Sequence, residues 1–335
     1  MTLNEIATYI WLDSVGQFRH KIKTIEVGAD GPIFPVWNYD GSSTGQRTTA
    51  NSEVRIHPVL TIKAPTCLAL GTRHHLVLCS SKFREQYNEL FQQAEPHEVM
   101  FGFELEFFLF DRATNKALGS PKDHILSQGT HYCGLDSHVE PKTQLILEQI
   151  YHACLQVGLP VSGCNVEVAP GQVEIQLCSK GLKACDQFML MRYLIERIAN
   201  RHNCYPVFTP KPYRVLNGSG CHINCSSAKM RGASTNNEFF ELATKVFVEL
   251  ERTHTESLKR YGGADNTQTR LTGTCETSSA DSFSWGKGSR ASSVRVAYDP
   301  VGDDRRYFED RRPGANINPY MACSVLLEAI IEANA

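Results

Sequence analysis

Glu104 and Glu106 stand two residues apart inside the most hydrophobic run of the chain, MFGFELEFFLF, residues 100–110. A strand alternates its side chains. Phe101, Phe103, Leu105 and Phe107 then share one face, and Gly102, Glu104, Glu106 and Phe108 share the other. Two carboxylates side by side on such a segment are costly unless something cationic neutralises them. An edge strand with one wet face would leave both in water. A site for hard divalent cations would keep both enclosed.

A second acidic pair, Glu167 and Glu174, lies in NVEVAPGQVEIQL, residues 165–177. Their odd spacing would put them on opposite faces of one straight strand. Pro170 and Gly171 break that strand, so the register can change there and both carboxylates can face one cavity. A plain hairpin with exposed glutamates is the other reading. A third element, KPYRVLNGSGCHINCS, residues 211–226, runs from a glycine-rich turn into His222. Small residues let backbone N–H groups approach an anion closely. A fourth element is basic. Arg270, Arg290 and Arg295 come in short order, YFEDRRP follows at 307–313, and the arginines alternate with Gly, Ser and aromatic residues. If residues 308–311 are extended, Glu309 and Arg311 share a face, placing a metal ligand beside a phosphate-binding guanidinium.

Five carboxylates and one imidazole favour Mg²⁺ or Mn²⁺ over zinc. Divalent cations with guanidinium groups suit a reacting group that spreads negative charge over several oxygens. The residues alone therefore point to metal-dependent phosphoryl transfer or ATP-driven ligation.

The elements that must position these groups fall into two regions. Residues 1–82 carry short strand signals at 9–12, 21–25, 54–57 and 76–78, separated by Gly and Pro turns. Residues 83–335 mix strands with helices predicted over 140–157, 182–201 and 236–260, and from Pro319 onward. A polar helical connection over 82–97 joins the two regions. The chain of 335 residues has a net charge of −2, with 41% hydrophobic and 21% charged residues. That balance gives no reason to expect nucleic acid or a membrane as partner. Twelve cysteines are scattered with no Cys-x-x-Cys pair and read as reduced residues of a cytoplasmic chain. The first residues lack the basic start and apolar core of a signal peptide.

In sequence order, several long motifs resemble the type II glutamine synthetase family. They are WNYDGSST at 37–44, residues 211–226, RLTG at 270–273, ETS at 276–278, RASSVR at 290–295 and YFEDRRP at 307–313. The likeness runs from about residue 8 to about residue 320. It implies an α+β chain: a small N-terminal β-grasp domain (1–82), then a catalytic domain (83–335) with an open, barrel-like antiparallel sheet and flanking helices. It also implies a homodecamer of two pentameric rings with active sites between neighbouring subunits. ATP, L-glutamate and ammonia would give glutamine, ADP and phosphate through a γ-glutamyl phosphate, with two or three Mg²⁺ or Mn²⁺ ions per site.

By motif position, the resemblance implies Glu106, Glu167 and Glu174 around one ion and Glu104, His222 and Glu309 around another. It implies Asn217, Gly218, Arg270, Arg290 and Arg311 at glutamate and the transferring phosphate. It implies Glu104, Glu174, Asn224, Ser226, Arg231, Arg290, Arg295 and Tyr307 at ATP. Asp40, supplied by the neighbouring subunit, would take a proton from ammonium, and Glu276 would close over the intermediate. Arg311 would act on the phosphates. The chain departs from the family pattern at Cys275 (usually His), at Ser289 (usually Asn), at Met100 (an aromatic) and at Cys178-Ser179 (Gly-Pro), and carries an extra residue before Arg270. A ligase for another amine and a non-catalytic member of the same fold are the competing readings.

Overall fold

The computed structural model describes residues 4–120, 131–135, 139–297 and 306–335. The first region holds strands β1 (Glu5–Leu12), β2 (Phe18–Ile25), β3 (Val27–Gly28), β4 (Gly31–Pro32), β5 (Trp37–Asp40), β6 (Glu53–Ile56), β7 (Pro58–Lys63) and β8 (His74–Cys79). Four of them form a mixed sheet in the order β2-β1-β8-β7, whose central pair β1–β8 is parallel. Alternation along β1 divides its side chains between two cores. Ala7, Tyr9 and Trp11 join Tyr39 and Ile56 in a small cluster, while Ile10 joins Leu76 and Leu78 in the main core. The sheet therefore packs on both faces, and residues 1–82 share apolar packing with the rest of the chain. Strands β5 and β7 carry no clear alternating signal and were not expected from the sequence.

The second region begins with α1 (Lys82–Gln93), capped by the Ser81 side chain. Strand β9 (Met100–Asp111) is the spine of the large sheet, joined by β10 (Lys116–Ala117), β11 (Val161–Val166), β12 (Gln172–Lys180), β13 (Cys204–Val207), β14 (Cys221–Ser226), β15 (Trp285–Lys287), β16 (Val294–Val296) and β17 (Phe308–Asp310). Among the described residues these nine strands run β11-β12-β9-β14-β17-β16-β15, with β10 and β13 also on β9. The sheet is open rather than a closed barrel. It is antiparallel except for β15–β16, which is parallel, so the expectation of a wholly antiparallel sheet fails there. Residues 285–296 loop back along the sheet edge, and that crossover sets their direction.

β9 is paired on both sides and so is not a wet edge strand. Phe101, Phe103, Leu105 and Phe107 are fully buried in the main core beneath α3 (Gly181–Arg201) and α8 (Pro319–Ala333). Phe108, beyond Glu106 on the other face, is sealed in a small cluster with Ala117, Ala169 and Leu216. Helix α2 (Pro141–Gln156) buries Ile146, Leu147, Ile150 and Ala153, and its Leu145 faces out. The span expected as one helix over 236–260 is two helices, α5 (Asn236–Arg252) and α6 (His254–Arg260), following the short α4 (Ala228–Gly232). Thr253 ends α5, its hydroxyl bonding the Glu249 carbonyl. A further short helix, α7 (Gly263–Thr269), follows Gly262, whose φ of 107° a side chain would not tolerate.

Candidate active site

Strand registers assemble the acidic face. Directly opposed residues of an antiparallel pair point to the same side of the sheet. Glu174 of β12 lies opposite Glu106 of β9 and opposite Asn165 of β11. Gln176 and His222 flank Glu104 on either side. Asn224 lies opposite both Gly102 and Glu309, and Arg295 opposite Glu309. These rows share one face of the sheet. Glu167 joins from the turn after β11, its backbone N–H bonded to the Gln172 carbonyl. The acidic segment is thus a hairpin, as the plainer reading had it, but its glutamates face inward.

In each of two groups the ligand atoms all lie within 4.8 Å of one another: Glu106, Glu167 and Glu174 form one, and Glu104, His222 and Glu309 the other. Each carboxylate is held by a neighbour. Glu106 accepts from the Gly220 N–H at 2.7 Å, Glu104 from Asn224 Nδ2 at 2.7 Å, Glu174 from Gln176 Nε2 at 2.7 Å and Glu167 from Asn165 Nδ2 at 2.9 Å. Glu309 is almost fully buried, with Arg311 Nη1 at 2.6 Å and Arg295 Nε at 2.8 Å. Its Oε2 makes no aligned hydrogen bond.

The electrostatics ask for a cation. Burial, then Glu167 and Glu174, pushes the Glu106 carboxyl well above its usual range. Burial, then Glu104, pushes Glu174 up to about 8, and burial raises Glu167. Burial, then Arg311, drives His222 well down toward its neutral form. His222 Nδ1 lies 3.4 Å from Glu309 and 3.6 Å from Glu104. Arg270, pushed down to about 10 by burial, reaches His222 Nε2 at 3.0 Å and the Arg311 carbonyl at 3.1 Å. Carboxylate oxygens packed too closely to ionise together, beside one neutral imidazole, fit hard divalent cations.

Above these groups is a cavity of about 500 Å³. Asn217, Gly218, Arg270, Glu276, Arg290, Arg295, Tyr307 and Arg311 are among the other residues that line it. Gly220 has no room for a side chain: a Cβ there would meet Arg270 Nη2 at 2.5 Å and His222 Nε2 at 2.6 Å. A second cavity of about 260 Å³ adjoins through Glu104, Gln176 and Tyr307 and is floored by Met100, Cys178, Asn224 and Ser226. Arg231 braces it from outside, donating to the Ser226 carbonyl at 2.8 Å and hydroxyl at 3.0 Å. Asp40 is not among the described residues that line either cavity. It is exposed, capping the turn at 41–44 through Ser42 and Ser43.

Sequence reasoning missed four residues here. Asn165 and Gln176 could have been found, since each stands two residues from a site glutamate and so shares its face. Gln172 spans to the Gly218 carbonyl at 3.0 Å, and Tyr132 lines the main cavity. Gln172 carried no signal beyond its place in a motif, and Tyr132 carried none.

The family described as glutamine synthetase, catalytic domain, matches residues 82–333. The chain belongs to the glutamine synthetase family. The chain is 36% identical to the cytosolic glutamine synthetase isozyme of Daucus carota over 342 residues, 97% of this chain and 94% of the relative. The glutamine synthetase of Candida glabrata is 35% identical over 98% of this chain and 89% of its own length. A chloroplastic glutamine synthetase of Brassica napus is 36% identical over 97% of this chain and 78% of its own length. Every cavity residue named above lies within the glutamine synthetase catalytic match, and Asp40 lies before it.

Proposed function

We propose that this chain joins ammonia to the side-chain carboxylate of L-glutamate at the expense of ATP, giving L-glutamine, ADP and phosphate. Family membership supports the reaction, and one observation supports its location: two adjoining groups of cation ligands on one sheet face, ringed by Arg270, Arg290, Arg295 and Arg311. When bound, Mg²⁺ or Mn²⁺ at Glu106, Glu167 and Glu174, and at Glu104, His222 and Glu309, supplies charge neutralisation for the phosphates. Two or three such ions per site suit this donor set.

The smaller cavity suits the nucleotide, with Asn224, Ser226, Arg231 and Tyr307 around it, Glu104 at its inner edge and Glu174 in the adjoining main cavity, toward the phosphates. Arg290, Arg295 and Arg311 orient the phosphates. Asn217, Gly218 and Arg270 hold glutamate. A glutamate side-chain oxygen attacks the terminal phosphorus, the bond to ADP breaks, and γ-glutamyl phosphate forms. Ammonia nitrogen then attacks the acyl carbon and phosphate leaves. Glu276, at a loop tip over the cavity, excludes water from that step.

Asp40 is assigned the proton from ammonium. Its place outside its own chain's cavity supports a neighbouring subunit as the source, and with it a homodecamer of two pentameric rings. The mixed sheet of β1, β2, β7 and β8 supports a β-grasp reading of residues 1–82, with 83–335 as the catalytic domain. Twelve free thiols suit a reducing, cytoplasmic setting. No helix among the described residues is long and apolar enough to cross a membrane.

The test is phosphate release from ATP and L-glutamate, with and without ammonium, in Mg²⁺, for wild type and Glu309→Ala. Release that needs both substrates and disappears in the variant supports the assignment. Release indifferent to ammonium points to another amine. No release from a folded oligomer points to a non-catalytic member.

A further inference from the structure

We infer that His254 is a positioning residue that ties the loop over the cavity to the strand carrying Glu309. The inference rests on the proposed reaction and deepens it. Strand β17 has two working faces. Glu309 and Arg311 face the cavity. Asp310 and Arg312 face the opposite way and form a fully buried pair, Nη2 to Oδ2 at 2.6 Å and Nε to Oδ1 at 2.9 Å. Tyr261 donates its hydroxyl to Asp310 Oδ2 at 2.8 Å. The remaining terminal nitrogen of Arg312, Nη1, lies 3.1 Å from His254 Nδ1.

A guanidinium only donates, so His254 Nδ1 accepts. The ring's proton then sits on Nε2, which donates to the Ala280 carbonyl at 3.0 Å. Burial, then Arg312, lowers the His254 pKa, which keeps the ring neutral as this arrangement requires. Ala280 closes the base of the loop, its N–H donating to the Leu271 carbonyl at 2.9 Å. At the tip, Cys275 and Glu276 hold φ values of 52° and 60°, a left-handed backbone that non-glycine residues rarely adopt. From the cavity side, Arg311 Nη2 donates to the Glu276 carbonyl at 3.3 Å. Adjacent arginines thus hold one loop twice, Arg311 at its tip and Arg312 at its base through His254. The same requirement accounts for the break at Thr253, which turns His254 toward Arg312.

The loop's strained tip needs both holds to stay over the acyl phosphate. Glutamine offers one acceptor and one donor at similar reach, and leucine offers neither. The experiment compares His254→Leu and His254→Gln with wild type in the full oligomer. It reads phosphate released per glutamine formed, amide exchange over 272–280 and Mn²⁺ binding. The expected result for His254→Leu is several-fold more phosphate per glutamine and faster loop exchange, with Mn²⁺ affinity kept within about twofold. His254→Gln stays near wild type. Unchanged coupling and exchange in His254→Leu, or equal uncoupling in both variants, overturns the inference. Should His254→Leu not fold, nitrogen NMR of wild type decides: a proton on Nε2 alone supports the link, and a proton on Nδ1 overturns it. A wild type that makes no glutamine sinks the proposed reaction, while loop exchange and ring tautomer still test the link.

Discussion

Glu106 and Glu174 are directly opposed across the β9–β12 pair, with both carboxylates on the cavity face. Like charges so placed oppose folding of the metal-free chain. Replacing either by glutamine therefore raises the metal-free Tm and reduces the Tm gain on adding Mn²⁺. Thermal unfolding with and without Mn²⁺ checks this, and a lower metal-free Tm for both variants contradicts it.

The raised carboxyls give the site a pH signature. Glu174 has a native pKa of about 8 against an ordinary value of 4.5, so the folded chain keeps a proton that the unfolded chain has lost. Stability of the metal-free protein then falls as pH rises from about 4.5 through about 8. Glu106 and Glu167 act in the same direction. His222, shifted down, opposes the trend only below its ordinary value of 6.5. Mn²⁺ must displace these protons, so its apparent affinity climbs with pH and levels off above about 8. Calorimetric titration in buffers of different ionisation heat counts the protons released, and no release near pH 6 counts against the shared-proton picture.

Gly220 bears on two site residues at once. A methyl group there must displace Arg270 and His222, which are locked by buried contacts. Gly220→Ala is expected to weaken both Mn²⁺ binding and glutamate use by roughly tenfold or more, in line with overpacking costs of about 1–3 kcal/mol. Gly232→Ala, with open space around the new Cβ, is the control and should leave both unchanged. Steady-state kinetics and Mn²⁺ titration of the two variants separate these outcomes.

The Asp310–Arg312 pair lies wholly out of water. Asp310→Asn leaves the arginine's charge uncompensated and is expected to destabilise by about 3–5 kcal/mol. The double change Asp310→Leu with Arg312→Met should cost less than the single one. Denaturant unfolding measures both, and a double variant less stable than either single one would count against the argument.

If Asp40 serves the neighbouring subunit, two inactive variants should complement each other. Asp40→Ala and Glu309→Ala chains, unfolded and reassembled in equal amounts, should regain activity at roughly a quarter of sites by random mixing in a ring. Activity assays on the mixture decide this, and a mixture as inactive as its parents removes the shared-site proposal.

Much of the site was legible because strand chemistry is local. Alternation along residues 100–110 placed Glu104 and Glu106 together, and the same rule joined Glu309 to Arg311. Two-residue periodicity comes from the backbone itself, so no partner strand is needed to read it. The helix over 140–157 was legible for a similar reason, since it buries a stripe at helical spacing, whereas the helix over 182–201 is buried on nearly every side. The single helix expected over 236–260 was not legible, because its break serves a contact with Arg312, some sixty residues further along the chain. Strands β5 and β7 were silent because neither carries a clear apolar alternation.

The sequence by itself determined which residues could ligate cations, which guanidinium groups could meet phosphate, and which glycines stood near them. Tertiary structure alone decided which carboxylates face each other. Glu106 meets Glu174, and Glu104 meets His222, only through the register of β9 with β12 and β14. Register depends on the whole buried face of the sheet and on long loops between strands, and neither is written in any local motif. Tertiary packing likewise set the protonation of the site, because burial and neighbouring charges, rather than residue type, move a carboxyl from 4.5 to about 8.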